Sequence, residues 1–323
     1  MTSFSSPKIA TAAIINPRSG GGKTGKNKAV LAKKLKAAFG PISLHFTESA
    51  ATPYHLPAEE LTRQAIKQGA KLIIAIGGDG TINEVVNGFF EDGKLINPET
   101  ELGLLNAGTG GDFRRTFDLP DDFDENLARL TKATSRLIDI GHLSFIADNG
   151  EPAERYFANI ASFGLSGAVD RAVNKARLSK LFGGRFAFLW ATLRTAWAYR
   201  APAVRITTDT GYDETVNVGT AAVANGRFFG GGMMIAPDAK PDDQWFDLVI
   251  MRDTRFGDLF KNSGALYDGS HLDDEKVSAM KAQTVEAHPI NPDIPVLLDI
   301  DGEAPGRLPA CFTILPATLK LRT

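Results

Sequence analysis

The sequence predicts an α/β domain followed by a mostly β domain. In the first third, short apolar runs alternate with helical patterns, and glycine, proline or asparagine follows most of them. Strands that alternate with helices indicate a parallel sheet covered by helices on both faces, a three-layer α/β arrangement. Beyond about residue 137, strand-like runs follow one another with few helices between them. This second pattern is typical of an antiparallel β-sandwich or barrel.

The first domain is predicted from periodicity and stop signals. Helix 28–39 places Leu31, Leu35, Ala38 and Phe39 on one face with lysines opposite, and Gly40 ends it. Thr81 and Glu84 have the spacing of a capping box, which predicts a helix that starts at residue 82. The full set of predicted elements is strands at 9–15, 43–46, 72–76 and 102–105, and helices at 28–39, 59–68 and 82–90.

The second domain is predicted from apolar and β-branched runs bounded by turn residues. The predicted strands are 137–140, 156–162, 204–209, 214–224, 247–251, 276–288, 295–300 and 307–315, with helical blocks near 168–199 and 255–267. The change in character places the boundary near residue 140, so we predict domains at 1–140 and 141–315.

Composition restricts the class of protein. The 323 residues carry a formal net charge of −2, which does not favour nucleic acid as a partner. A single cysteine, Cys311, cannot form an internal disulfide, which fits a reducing compartment. We find no signal peptide and no apolar stretch of the roughly 20 residues that a membrane span needs. We therefore expect a soluble, cytoplasmic protein that can still touch the inner face of the membrane.

The most specific motif follows the predicted strand 72–76 and reads Gly77-Gly78-Asp79-Gly80-Thr81. Glycines allow backbone N–H groups to approach a ligand closely, and a helix N-terminus favours an anion. Asp79 lies among these donors, where it could face Mg²⁺ or a ribose hydroxyl. The alternative is a tight strand–turn–helix connection without a ligand, but this pattern favours a phosphate site.

Two further loops share this character. Residues 106–113 follow a strand and again combine glycines, a hydroxyl and the carboxylate of Asp112. Residues 16–26 form a Gly/Lys loop that nearly matches a Walker A motif, but Asn27 stands where Ser or Thr should bind Mg²⁺. We therefore reject a P-loop NTPase, and the missing Gly-x-Gly-x-x-Gly disfavours a nicotinamide dehydrogenase. Loops at the carboxyl ends of strands in an open α/β sheet point to one shared crevice.

In this order, the three loops resemble those of the diacylglycerol kinase catalytic domain family, which includes bacterial lipid kinases and the sphingosine and ceramide kinases. Asn16 to Gly20, Gly77 to Val85 and Asn106 to Arg114 match its three glycine-rich motifs. Later segments that match are Asn225 to Met233, Pro237 to Ala239, Asp242-Asp243 and Asp301-Gly302-Glu303. The matches extend over nearly the whole chain.

The resemblance implies an N-terminal domain like that of NAD kinases, a C-terminal β-sandwich, and a chain end near 316–323 that returns to the first domain. It implies ATP as phosphoryl donor, Mg²⁺, and an acceptor lipid such as diacylglycerol or a sphingoid base. The ATP-binding residues that it implies are Asn16, Ser19, Gly20, Thr47, Gly77, Gly78, Asp79, Gly80, Thr81, Asn83, Gly108 and Thr109.

The resemblance also assigns chemistry to carboxylates. Glu303 is the expected base for the acceptor hydroxyl, although Asp-Gly taken alone predicts a hairpin turn. The carboxylates of Asp79, Asp112 and Asp139 are expected to share a Mg²⁺–water network, and an aspartate within an apolar strand, such as Asp139, needs a partner in any case. A second, structural Mg²⁺ is expected at Asp243 with the carbonyl groups of Lys240 and Trp245.

Three residues depart from the family pattern. Asn106 replaces proline, Gly111 replaces asparagine, and Gln244 replaces glycine. These departures motivate one alternative, a nucleotide-binding regulator without turnover. The other alternative is an NAD kinase that phosphorylates a soluble acceptor.

The remaining feature is a segment rich in basic and aromatic residues. From Arg171 to Arg205 every charged residue is basic, and six aromatic residues lie between Phe182 and Tyr199. Such a segment fits an anionic membrane surface, and it also fits ordinary helices with a solvated face. A homodimer through the β domain is a further hypothesis.

Overall fold

The chain forms two compact units. The computed structural model describes residues 10–47, 57–108, 110–169, 171, 199–253 and 264–323. The first unit consists of the described residues up to Ile138 together with Ala317–Thr323, and the second is Asp139–Pro316. The helical blocks predicted at 168–199 and 255–267 lie largely outside the described residues, apart from a short helix at Ala265–Asp268.

The first unit is built on a parallel sheet. Its strands are β1 (Thr11–Ile15), β2 (Ile42–Phe46), β3 (Leu72–Gly77), the short pair β4 (Phe90–Glu91) and β5 (Lys94–Leu95), and β6 (Glu101–Asn106). Its helices are α1 (Lys23–Lys26), α2 (Lys28–Phe39), α3 (Ala58–Lys67), α4 (Asp79–Asn87), α5 (Asp112–Thr116) and α6 (Phe123–Lys132). The sheet order is β2-β1-β3-β6, and the last residues of the chain add a parallel strand beside β6.

Helices cover both faces of this sheet. Ile15 and Ile76 belong to a buried cluster with Leu35 of α2 and Leu130 of α6. Side chains alternate along a strand, so the equally buried neighbour Ile14 faces the other side. The helices α3 and α4 contact β1 and β3. The predicted three-layer α/β domain is therefore confirmed.

The predicted start of α4 was wrong. The helix begins at Asp79, with Gly78 before it in an extended conformation, and no side chain caps it. Glu84 instead accepts a hydrogen bond from the backbone N–H of Ala58 at 2.8 Å. The capping-box spacing was present, but the Glu84 side chain binds a residue of α3 and not the start of its own helix. Three helices of this unit were not predicted, α1, α5 and α6, and Asp122 caps the last of these by accepting from two backbone N–H groups.

The second unit is a β-sandwich. Its strands are β7 (Ser135–Ala147, which begins in the first unit), β8 (Pro152–Phe157), β9 (Ile160–Gly164), β10 (Ala203–Thr208), β11 (Asp213–Ala224), β12 (Phe246–Arg252), β13 (Val277–Ala282), β14 (Thr284–Pro289), β15 (Leu298–Ile300) and β16 (Gly306–Arg322). One half of β11 pairs with β10 and the other with β9 and β12, with a register shift after Val218. The strand thus passes from one sheet to the other.

An apolar cluster with side chains from both sheets fills the interior of this sandwich. Phe163 of β9 stacks on Phe312 of β16 with ring centroids 6.0 Å apart, and Phe157 stacks on Phe246 at 5.5 Å. All four rings are fully buried. The predicted strands 156–162 and 276–288 are each two strands, because a tight turn interrupts them near Asn159 and Gln283. Within the described part of the chain, no helix is long and apolar enough to cross a membrane.

We expect Leu35→Ala to destabilise the first unit by about 2–5 kcal/mol, because it leaves a cavity under α2. Leu35 is 0% exposed, whereas Val30 on the same helix is 55% exposed. The control Val30→Ala should therefore change stability by about 0.5 kcal/mol or less. Hydrogen exchange of the β1 and β3 amides measures the effect in this unit, and equal exchange in both variants would contradict the assigned core.

Candidate functional site

The three glycine-rich loops meet at the carboxyl edge of the first unit's parallel sheet. Asn16 directly follows β1, and its side-chain amide donates to the Thr81 hydroxyl at 3.0 Å. The Asn16 side-chain oxygen accepts from the backbone N–H of Arg18 at 2.9 Å. The Ser19 hydroxyl donates to the Asn16 carbonyl at 2.7 Å. The first loop is thus joined to the second through one asparagine.

The backbones of the loops approach so closely that only glycine fits. A Cβ atom added to Gly108 would lie 2.5 Å from Cα of Gly78, and one added to Gly20 would lie 2.9 Å from the Ala107 carbonyl oxygen. A Cβ at Gly77 would lie 2.5 Å from the side chain of Thr81. Real Cβ atoms essentially never come within 3.0 Å of such neighbours, so these glycines hold the loops together as one surface.

The carboxylate of Asp79 links the second and third loops. One oxygen accepts from the backbone N–H of Gly111 at 2.8 Å, and the other accepts from that of Phe113 at 3.3 Å. Gly111 precedes α5 and Phe113 is its second residue, so both N–H groups lie at the helix start, where intrahelical acceptors are missing, and Asp79 caps the helix from a neighbouring loop. Each oxygen keeps a lone pair for a further partner.

Other predicted residues of this unit lie at or beside the same edge. Asp112 is the first residue of α5 and forms an ion pair with Arg115 at 2.6 Å. Thr47 follows β2, is buried, and donates its backbone N–H to Ile15 at 3.0 Å. Gly80 and Asn83 lie within α4, where the Asn83 side-chain oxygen accepts from Asn87 at 3.3 Å. The predicted Thr109 lies outside the described residues.

Two departures from the family pattern are adjacent in space. Gly111 has φ +74°, and a Cβ there would lie 2.8 Å from the amide nitrogen of Asn106. The Asn106 side-chain oxygen accepts from the backbone N–H of Gly108 at 3.2 Å. The side-chain amide of residue 106 therefore occupies the space that a side chain at 111 would need.

In the second unit, Asp301-Gly302-Glu303 forms the end of a hairpin. Ile300 and Glu303 exchange two backbone hydrogen bonds of 2.8 and 3.0 Å across the turn. Asp301 and Gly302 have φ of +50° and +88°, as a two-residue hairpin turn requires. The Asp301 carboxylate accepts from the backbone N–H of Ile160 at 3.0 Å. Glu303 is thus the first residue after a turn that is pinned to β9.

A buried polar group under this hairpin was not predicted. Asp299 accepts from the backbone N–H of Gly302 at 2.9 Å with one oxygen and from the Ser162 hydroxyl at 3.0 Å with the other. Ser162 also hydrogen-bonds Ser166 at 2.8 Å. The signal was available, because Asp299 interrupts an apolar strand in the same way as Asp139 does.

Asp139 lies in the second unit with the predicted metal segment 240–245. It is 1% exposed, its carboxylate accepts from the backbone N–H of Gln244 at 2.7 Å, and its own N–H donates to Pro241 at 2.6 Å. The amide of Asn225 donates to the Asp139 carbonyl at 2.9 Å. Asp139 therefore anchors this segment, whereas Asp79 and Asp112 belong to the first unit.

The carboxylate of Asp243 has a lysine as its neighbour. Its two oxygens accept from the backbone N–H of Trp245 at 3.1 Å and from the Lys281 ammonium at 2.6 Å. Lys281 is also 3.3 Å from Asp247, whose pKa is raised by burial although the ammonium opposes the rise. Burial opposes the charge of Lys281, but the hydrogen bond to Asp243 and both carboxylate charges outweigh it and raise the lysine's pKa.

Only the ends of the basic and aromatic segment are described. Arg171 pairs with Asp148 at 2.5 Å, and Arg205 pairs with Asp213 at 2.7 Å. These two cations are partly neutralised by neighbouring acids. Residues 172–198, which carry most of the predicted membrane-facing pattern, lie outside the described residues.

Two family models match the chain, one for each half. The model described as the diacylglycerol kinase catalytic domain matches residues 10–143. The model described as the YegS C-terminal NAD kinase beta sandwich-like domain matches residues 159–323. The second match covers the β-sandwich that was predicted from the sequence.

Individual relatives match almost end to end. A diacylglycerol kinase of Bacillus subtilis (strain 168) is 31% identical over 306 residues, covering 94% of this chain and 92% of that protein. One of Mycobacterium tuberculosis (strain ATCC 25618 / H37Rv) is 27% identical over 316 residues, covering 96% and 93%. A solved structure of a diacylglycerol kinase from Bacillus anthracis str. Sterne has a TM-score of 0.66 at 20% identity, covers 98% of each chain, and shows a shared fold. The chain therefore belongs to the diacylglycerol kinase family of lipid kinases.

Proposed function

We propose that this chain is an ATP- and Mg²⁺-dependent kinase that phosphorylates a hydroxyl group of a lipid such as diacylglycerol or a sphingoid base. The main support for the proposal is that three glycine-rich loops contact one another at the carboxyl edge of one parallel sheet. Ligands of open α/β sheets bind at this edge. Membership of a kinase family supports phosphoryl transfer as the chemistry.

The loops suit a nucleoside triphosphate because they present backbone N–H groups rather than side-chain bulk. The close approach of Gly78 and Gly108 leaves this surface without Cβ atoms, so phosphate oxygens can reach the amides. Helix α4 begins at Asp79, and its N-terminal N–H groups favour an anion. Asn16, Ser19 and Thr81 order the loops through their hydrogen bonds.

The carboxylates of the first unit fit Mg²⁺ as oxygen ligands. Asp79 keeps a lone pair on each oxygen beyond its backbone hydrogen bonds, and Asp112 contributes a second carboxylate in the third loop. Mg²⁺ binds through one or two carboxylates, retained waters and substrate phosphates. When bound, the ion neutralises charge that develops on the phosphoryl group.

Glu303 is proposed to accept the proton of the attacking lipid hydroxyl. A general base must be held at hydrogen-bond distance from that proton. The hairpin turn supports this role by holding the backbone at Glu303, because the Asp301 carboxylate binds the backbone N–H of Ile160 in β9 and the Asp299 carboxylate binds that of Gly302. Asp299 thus acts as a positioning residue for Glu303.

The departures in the third loop do not favour a regulator without turnover. The amide at position 106 occupies the space beside position 111, so the loop keeps a side-chain amide there. A peripheral contact with the membrane and a homodimer through the β domain remain predictions.

The first test measures ³²P transfer from labelled ATP to a panel of micellar lipids, with Mg²⁺ or with EDTA. We expect metal-dependent labelling of one lipid class. Glu303→Gln should lower turnover by about 10²-fold or more, because it removes the proton acceptor. Glu275→Gln, on an exposed turn, is the matched control and should keep full activity.

Absence of labelling on every lipid, alongside measurable ATP binding, would contradict the lipid-kinase proposal. A soluble acceptor or a silent nucleotide-binding regulator would then explain the fold. Full activity of Glu303→Gln with a labelled lipid would overturn only the assignment of the base.

A second prediction concerns the nucleotide. Gly108→Ala should weaken ATP binding by about tenfold or more, since the added Cβ forces the loop backbones apart. Gly264→Ala is the control, because nothing lies within 4 Å of a Cβ there. Calorimetric titration with ATP and MgCl₂ provides the measurement. Equal affinities in the two variants would place the nucleotide elsewhere.

A third prediction concerns the coupling of positions 106 and 111. Gly111→Asn should destabilise the protein, because its Cβ meets the Asn106 amide. Adding Asn106→Ala should restore part of this loss, giving a coupling free energy of about 1 kcal/mol in a double-mutant cycle. Thermal unfolding of the four variants provides the values. Strict additivity would show that the two positions are independent.

A further inference from the structure

A lysine side chain from another strand, Lys281 of β13, lies against the acidic residues of segment 240–247. The Lys281 ammonium lies 2.6 Å from one oxygen of Asp243 and 3.3 Å from an oxygen of Asp247. The other oxygen of Asp243 accepts the Trp245 backbone N–H. Both oxygens of the carboxylate expected to bind a structural Mg²⁺ therefore have donors, and, unlike the backbone donors of Asp79, one of these donors carries a positive charge.

The strand register fixes this ammonium in place. Lys281 lies on β13 directly opposite Asp247 on β12. Opposite charges at such cross-strand positions attract each other. The side chains of Asp243 and Asp247 are 25% and 14% exposed, against 43% for Lys281, so the carboxylates are covered while the ammonium stays partly hydrated.

A divalent ion does not fit this arrangement. Mg²⁺ sits at about 2.0–2.1 Å from its oxygen ligands and demands near-octahedral geometry. An ion on Asp243 would lie next to an ammonium that binds the same oxygen, and like charges at that distance repel strongly.

We propose that Lys281 takes the place of the structural Mg²⁺ expected at Lys240, Asp243 and Trp245. The segment then folds without a divalent ion, and its Gln244 N–H remains on Asp139. Lys281 supplies one positive charge on a flexible stem and so offsets part of the negative charge of Asp243 and Asp247, and the turn's backbone already closes from Asp243 to Lys240. The Mg²⁺ of the phosphoryl-transfer reaction is a separate ion, so this inference does not depend on the substrate.

Thermal unfolding without nucleotide tests the proposal. The wild type should unfold at the same temperature in MgCl₂ and in EDTA. Lys281→Met keeps the apolar stem and removes the charge, so it should lower Tm by about 2–4 °C in EDTA. MgCl₂ should then recover part of that loss, because the two aspartates are left without a counter-ion. Lys94→Met, an exposed lysine of the first unit, should match the wild type.

Two outcomes would overturn the proposal. One is a rise in the Tm of the wild type with MgCl₂ that Asp243→Asn abolishes, which would place a divalent ion at this segment. The other is a Lys281→Met protein as stable as the wild type and insensitive to MgCl₂. If that variant fails to fold, hydrogen exchange of the Gln244 and Trp245 amides in the wild type decides the question. Equal exchange with EDTA and with MgCl₂ supports the proposal, and faster exchange in EDTA contradicts it.

Discussion

The candidate nucleotide site depends on one steric constraint, the close approach of backbone to backbone between neighbouring loops. Gly78 and Gly108 leave no room for a side chain between them, and Asp79 then reaches across to hold the first N–H groups of α5. An anion site made of backbone amides needs several N–H groups close together, and side chains at these positions would keep the loops apart. Because the strands below are parallel and buried, the loops meet at a fixed edge.

The same residues serve structure and proposed chemistry in the second unit. Asp301 and Gly302 adopt positive φ in a hairpin turn, so the motif is a turn as its local sequence suggests. Glu303 directly follows that turn. Buried Asp299 binds the turn at Gly302, and the Ser162 hydroxyl in turn binds Asp299. Asp-Gly-Glu can therefore be both a hairpin turn and the site of a general base, since a base is useful only where a rigid backbone holds it.

Each departure from the family pattern can be understood from the residues next to it in the structure. Gly111 is small where Asn106 is large, and the two share one space. Gln244 adopts φ +70°, a conformation that favours glycine, while its N–H is held by Asp139. A sequence comparison registers the changes at positions 106 and 111 as two losses, whereas the contacts show that the Asn106 side chain occupies the space beside Gly111. The backbone N–H of residue 244 is available for Asp139 whichever side chain stands there.

The sequence by itself determined the two-domain class, most strands, and the glycine loops that meet at one edge. These features follow from local rules, because apolar periodicity, stop signals and backbone sterics act over a few residues. Only the tertiary structure decided which partner each polar side chain takes. Glu84 binds Ala58 rather than its own helix start, Asp139 holds the segment at Gln244, and Lys281 faces Asp243. Those contacts join residues far apart in the chain, so no local pattern encodes them.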